Sequence, residues 1–228
     1  YIDAVIKEWE LYNEFFDHKT RIKEIHLGGG TPTFFSPENL EKLIGGILSL
    51  SEKASGFEFG FEGHPNNTSQ EHLEKLYSLG FRRVSFGVQE YDPKVQKSIH
   101  RIQSFEAVKQ AHHWAKSIGY TSISHDLVFG LPHQTTETIM NTIRLTNKLR
   151  PDRISLYSYA HVPWVKGVGQ RGFNELNLPS PEAKRDMYEA AKLALIQNGY
   201  VEVGMDHFAL KTDALYDAQE KKRLHRNF

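Results

Sequence analysis

Apolar positions along the chain follow two periods in alternation. Ile2, Val5, Ile6, Trp9, Tyr12 and Phe16 fall on one stripe of a helix over about 2–17. A short strand at 22–27 then runs into Gly28, Gly29 and Gly30. A helix follows from Pro37, since the fixed φ of proline suits the first helical position after Ser36. The same pairing recurs along the chain. A strand at 57–62 precedes a helix opened by Thr68 with Glu71 as a capping box and closed by Gly80. Strand 82–88 precedes a helix at about 104–118 closed by Gly119, and strand 121–128 one at 136–149, stopped by Pro151. Strand 153–159 leads into an irregular stretch, then a helix over about 181–198 and a strand at 200–204. Helices between nearly all strands imply parallel strands joined by right-handed crossovers.

Alternation within the strands selects between an open sheet and a barrel. Phe57, Phe59 and Phe61 share one face, opposite Glu58, Gly60 and Glu62. Val84, Phe86 and Val88 oppose Arg83, Ser85, Gly87 and Gln89, and Ser122, Ser124 and Asp126 align together. An open sheet covered by helices on both sides would be apolar on both faces. One small or polar face therefore predicts a barrel with a lumen that binds something. Ligands of such folds sit at the carboxyl ends of the strands. Those ends carry Gly28 to Thr31, Glu62, Gln89, Asp126 and Ala160, which makes that rim the candidate site.

Composition narrows the chemistry. The chain has 228 residues, 39% hydrophobic and 25% charged, enough for the core of one globular unit. Lys plus Arg equals Asp plus Glu, so no global attraction to nucleic acid or an anionic membrane is expected. No apolar run is long enough for a membrane span. The absence of cysteine excludes disulfides and thiolate metal sites within these residues and fits a reducing compartment. His112 and His113 are adjacent, so they point to different helix faces, and no H-E-x-x-H pair occurs; no histidine metal site is expected. The GVGQRG stretch at 167–172 matches a dinucleotide fingerprint in letters only, since no strand precedes it and no helix follows. No Ser-His-Asp or paired-carboxylate set stands out, so no catalytic side chain is assigned.

Several stretches carry a resemblance. GGGTP at 28–32, EGHPNNT at 62–68, SFGVQEYD at 85–92, HDLVFGLPHQT at 125–135 and YSYAHVP at 157–163 resemble the radical S-adenosylmethionine enzymes of porphyrin metabolism. LPSPEAKRDMY at 178–188, GMDHFAL at 204–210 and LHRNF at 224–228 resemble more closely the oxygen-independent coproporphyrinogen III oxidases. The resemblance implies an incomplete parallel (β/α)6 barrel of the TIM-like, radical SAM type. Residues 1–165 would form its core, and 166–228 would complete the same unit. Its lumen would hold S-adenosylmethionine beside a [4Fe-4S] cluster. It implies that Gly29, Gly30, Thr31 and Glu62 contact S-adenosylmethionine. Gln89, Arg101, Asp126 and Ala160, with Gly30 and Thr31, would contact a second molecule of it.

The implied reaction is the oxidative decarboxylation of two propionates of coproporphyrinogen III to vinyl groups, giving protoporphyrinogen IX. A 5'-deoxyadenosyl radical abstracts hydrogen from the propionate. The substrate's carboxylates call for cations, and Lys166, Arg171, His207 and Arg226 are the candidates. The resemblance also implies a cytoplasmic monomer served by a flavodoxin-type electron donor. One departure is large. The family's C-x-x-x-C-x-x-C cluster loop has no counterpart here, so the first strand and cluster loop are expected to be missing and these residues alone to be inactive. A heme-binding chaperone of the same superfamily and a non-catalytic barrel remain as alternatives.

Overall fold

The computed structural model describes residues 1–162 and 173–224. Among these residues seven strands form one sheet in the order β1-β2-β3-β4-β5-β7-β6. These are β1 Thr20–Leu27, β2 Ser51–Gly63, β3 Phe81–Gln89, β4 Ser122–Phe129, β5 Arg153–Ser158, β6 Tyr200–Gly204 and β7 His207–Leu210. Strands β1 to β5 pair in parallel, each with the next in sequence. The helices between them are α2 Pro37–Ser49, α3 Gln70–Leu79, α4 Pro93–Ser98 with α5 Phe105–Ile118, and α6 Thr136–Leu149. Helix α1 is Ile2–Asn13, α7 is Pro181–Gln197 and α8 is Ala214–Glu220.

The alternation in the sequence becomes the two faces of the sheet. Phe59, Phe61, Val84, Phe86 and Val88 are buried against Leu73 and Leu76 of α3 and Val108, Ala111 and Ala115 of α5. Their rings interlock: Phe59 lies 5.5 Å from Phe81, and Phe61 lies 6.1 Å from both Phe81 and Tyr120. Fully burying an aromatic side chain contributes roughly 2–3 kcal/mol, so this layer fixes which face turns outward. Glu58, Gly60, Glu62, Arg83, Ser85, Ser122, Ser124 and Asp126 face the concave side. The structure thus has the barrel-like parallel sheet expected from the pattern, in the incomplete form that the resemblance implies.

Several details depart from the sequence reading, among them the short helices α4 and α8, which it did not contain. Helix α1 stops at Asn13 instead of 17. The Asn13 side chain donates to Trp9 O at 2.8 Å and accepts from Thr20 Oγ1 at 2.7 Å, which turns the chain toward β1. The cap of α3 is Ser69 with His72, not Thr68 with Glu71. Ser69 Oγ accepts from His72 N at 3.3 Å, whereas the Thr68 hydroxyl donates to His64 O at 3.0 Å inside the preceding turn. Strand β2 begins at Ser51, six residues early, with Gly56 at φ +62. Finally, an unexpected strand, β7, lies between β5 and β6 and runs antiparallel to both.

Helix α7 starts as its sequence requires. Ser180 Oγ accepts from Ala183 N at 3.2 Å and Pro181 takes the first position. Ser180→Ala should therefore lower the unfolding free energy by about 1 kcal/mol in a urea titration.

Candidate functional site

A cleft of about 340 Å³ opens on the concave face of the sheet, lined from β1 to β5 and by His207 of β7. Its floor, toward the strand starts, is a set of ion pairs. Arg83 donates to Glu58 at 3.1 Å, and the buried Arg153 donates to Asp213 at 2.7 Å. Asp213 also accepts from Ser122 Oγ at 2.7 Å and caps α8 through Leu215 N. This carboxylate therefore fastens β4, β5 and α8 together below the cleft.

The rim, at the carboxyl ends, carries the expected residues. Strand β1 ends in the glycine turn, and Glu62 stands beside it on β2. A methyl group on Gly28 would lie 2.9 Å from His26 Nε2 and 3.0 Å from Glu62 Oε1. His26 Nε2 and Glu62 Oε1 are themselves 3.3 Å apart. Gly29 has φ +98, a conformation that side chains resist, and a methyl group on Gly29 or Gly30 would meet nothing within 4 Å. Thr31 precedes a short turn at Pro32–Phe34. A side chain at Gly28 would displace the ends of His26 and Glu62, while at Gly29 the backbone itself favours glycine. At Gly30 the space is open.

Asp126 of β4 lies across the cleft from this turn and accepts from Ser85 Oγ at 2.6 Å. Burial pushes its carboxyl above the usual carboxylate range, opposed by hydrogen bonds from Ser85 and Ser155. In register with it stands Gly87 of β3. Over Gly87 lie two expected side chains: a methyl group there would be 2.7 Å from Arg101 Nη2 and 3.0 Å from Gln89 Nε2. Arg101 donates to Gly87 O at 2.6 Å, its Nε is buried without a hydrogen-bond partner, and burial lowers its pKa. Tyr157 of β5 and His207 meet edge to face at 5.9 Å, and burial raises the Tyr157 phenol.

Glu62, Asp126 and His207 line one cleft, with Gln89 and Arg101 over Gly87 beside Asp126 and the Gly29–Thr31 turn beside Glu62. Ala160 follows β5 and is exposed at the same end of the sheet. Lys166, Arg171 and Arg226 lie outside the described residues, as do Trp164, His225 and the GVGQRG stretch. His26, Ser155 and Tyr157 also line the cleft and were not singled out from sequence. Strand parity could have found them: His26 lies two residues before Gly28, and Ser155 and Tyr157 alternate with buried Ile154 and Leu156.

An open polar cleft at the carboxyl ends of parallel strands, with a glycine turn against a carboxylate, defines a cofactor-binding barrel. The model of the Radical SAM superfamily matches residues 7–146. The chain belongs to that superfamily, whose members use S-adenosylmethionine and a [4Fe-4S] cluster. Across its full length the chain is 42% identical to an oxygen-independent coproporphyrinogen III oxidase of Helicobacter pylori and 37% identical to one of Synechocystis. It covers 50% and 49% of those proteins. The solved coproporphyrinogen III oxidase of Escherichia coli superposes over the whole chain with a TM-score of 0.94 at 34% identity, and 52% of that protein is covered. The chain thus spans about half the length of the relatives it matches. Among the described residues, no helix is long and apolar enough to cross a membrane.

The cleft suits S-adenosylmethionine. The cleft holds the carboxylates of Glu62 and Asp126, which complement an ammonium group and hydroxyls, and the space beside Gly29 and Gly30 at its rim is open. The residues here do not suit the cluster. No thiolate exists in the sequence, and no group of three His, Asp or Glu among the described residues could hold a metal. Glu62→Gln should weaken S-adenosylmethionine binding of the full-length protein by ~1.5–3 kcal/mol, the worth of a charged hydrogen bond. Calorimetry giving wild-type affinity would remove Glu62 from the site.

Proposed function

We propose that the protein containing these residues carries out the oxygen-independent oxidative decarboxylation of coproporphyrinogen III to protoporphyrinogen IX. The supporting observation is the match of the whole chain, 42% identical, to relatives named for that activity. S-adenosylmethionine, with a reduced [4Fe-4S] cluster that the residues here do not hold, would supply the radical chemistry. The residues of this chain bind and orient. Gly29, Gly30, Thr31 and Glu62 hold one S-adenosylmethionine. Gln89, Arg101, Asp126 and Ala160, with Gly30 and Thr31, hold a second. His207, whose ring edges Tyr157 in the cleft wall, receives a substrate carboxylate together with Lys166, Arg171 and Arg226. The protein acts in the cytoplasm as a monomer, reduced by a flavodoxin-type donor. The arrangement of residues 1–165 as barrel core and 166–228 as its completion belongs to the same reading.

The test is anaerobic turnover by the full-length, reconstituted protein. Loss of coproporphyrinogen III with release of two carbon dioxide molecules per protoporphyrinogen IX is expected. Stable binding of added heme with no porphyrinogen consumed would replace this reading with that of a heme chaperone.

A further inference from the structure

The end of β3 is held in an unusual way. Gln89 is not glycine, yet its φ is +65, and the pairing of β3 with β4 slips between Gly87 and Gln89. A side chain stays in that conformation only when its surroundings hold it. The next residue, Glu90, is 1% exposed, and among the described residues its hydrogen-bond partners are all uncharged donors. Its Oε1 accepts from Tyr91 N at 2.7 Å, from Asp92 N at 3.1 Å and from the Thr142 hydroxyl of α6. Its Oε2 accepts from Gln134 Nε2 at 2.5 Å. Gln134 in turn donates to Val128 O at 3.0 Å and accepts from Leu131 N at 3.1 Å, so it is anchored to the end of β4.

The carbonyls around Gln89 are pinned too. Gln96 Nε2 donates to Glu90 O at 2.8 Å and to Gln103 O at 2.7 Å. Gln103 Nε2 donates to Val88 O at 2.5 Å, and Arg101 Nη2 to Gly87 O at 2.6 Å. The carboxylate at 90 meets donors alone. An ionised carboxyl is acceptor-only on both oxygens, whereas an amide there would turn an N–H against the N–H of Gln134. Such a charge is costly to bury, and burial does push the Glu90 carboxyl up. A fold that needed only a turn could make it without that cost.

We propose that Glu90 is a positioning residue. Its carboxylate, clamped by Thr142 and Gln134, locks the kink at Gln89 and so aims the Gln89 side chain over Gly87 at the bound S-adenosylmethionine. This rests on the reading of Gln89 and Arg101 as cofactor contacts. Glu90 itself faces α6 and does not line the cleft.

The test measures S-adenosylmethionine affinity by equilibrium dialysis for the full-length protein and its Glu90→Gln, Gln89→Ala and double variants, at a temperature where circular dichroism shows each folded. Each single change should weaken binding about tenfold, and the double variant should be no weaker than Gln89→Ala, because both act through one contact. Thr142→Val, which keeps the carboxylate and removes one donor, should weaken binding less, and it carries the test if Glu90→Gln does not fold. Glu90→Gln with a lowered melting temperature but unchanged affinity would make Glu90 a fold residue only, and fully additive losses in the double variant would overturn the proposal by showing that Glu90 acts on binding other than through Gln89. Unchanged affinity in Gln89→Ala and in Arg101→Ala would instead overturn the reading of the site, and with it the aim assigned to Glu90.

Discussion

Gly30→Val should abolish S-adenosylmethionine binding by the full-length protein while leaving its fold intact. A Cβ at Gly30 meets nothing within 4 Å, and its backbone is not left-handed, so the protein alone has no objection to a side chain. Unfolding free energy should stay within about 0.5 kcal/mol of wild type, as for substitutions that touch nothing. A branched side chain would fill the space reserved for the cofactor, and affinity should fall at least about a hundredfold, roughly 3 kcal/mol. The neighbouring glycines behave differently. Gly29→Ala should itself cost of order 1 kcal/mol in stability, since φ +98 strains any side chain. Retained cofactor affinity in Gly30→Val would reduce the glycine run to a turn.

The second large effect is on acid stability. Behind the sheet, His112 Nδ1 of α5 and His125 Nε2 of β4 lie 3.1 Å apart, while His112 Nε2 and His125 Nδ1 are buried without partners. Burial lowers His112 to about 4, helped by Lys116 and His113, and drives His125 well below the ordinary value. A histidine with a depressed folded pKa stays neutral while the unfolded chain takes up a proton. Stability is therefore unaffected above about pH 6.5 and falls as pH drops from there toward 4. At pH 5 each histidine should have lost about 2 kcal/mol relative to pH 7. Buried Glu90, Asp126 and Asp152, whose carboxyls are raised, act with opposite sign over the lower part of that window. The difference between wild type and His112→Asn/His125→Gln in chemical denaturation at pH 7 and pH 5 isolates the pair. The variant should lose less stability on acidification; equal losses would mean that the pair takes up protons in the folded state.

The sequence by itself determined the order of elements, because helices between strands allow little but parallel crossovers. It also determined which face of each strand turns inward, because a period of two separates Phe59 and Phe61 from Glu58 and Glu62. Strand ends then placed Gly29, Glu62, Gln89 and Asp126 on one rim. Strand β7 escaped it: four residues after a tight turn hold too short a pattern, and only pairing with β5 makes them a strand. The cap of α3 escaped for a related reason. Thr68 and Ser69 are both good caps, and the choice fell to Ser69 once His64 O claimed the Thr68 hydroxyl. Contacts far apart in sequence, such as Glu90 with Thr142 and Arg153 with Asp213, arise only when the sheet closes. Local pattern records what each segment prefers. The partners that let a charge be buried or a kink persist are supplied by other segments, and only the tertiary structure brings them together.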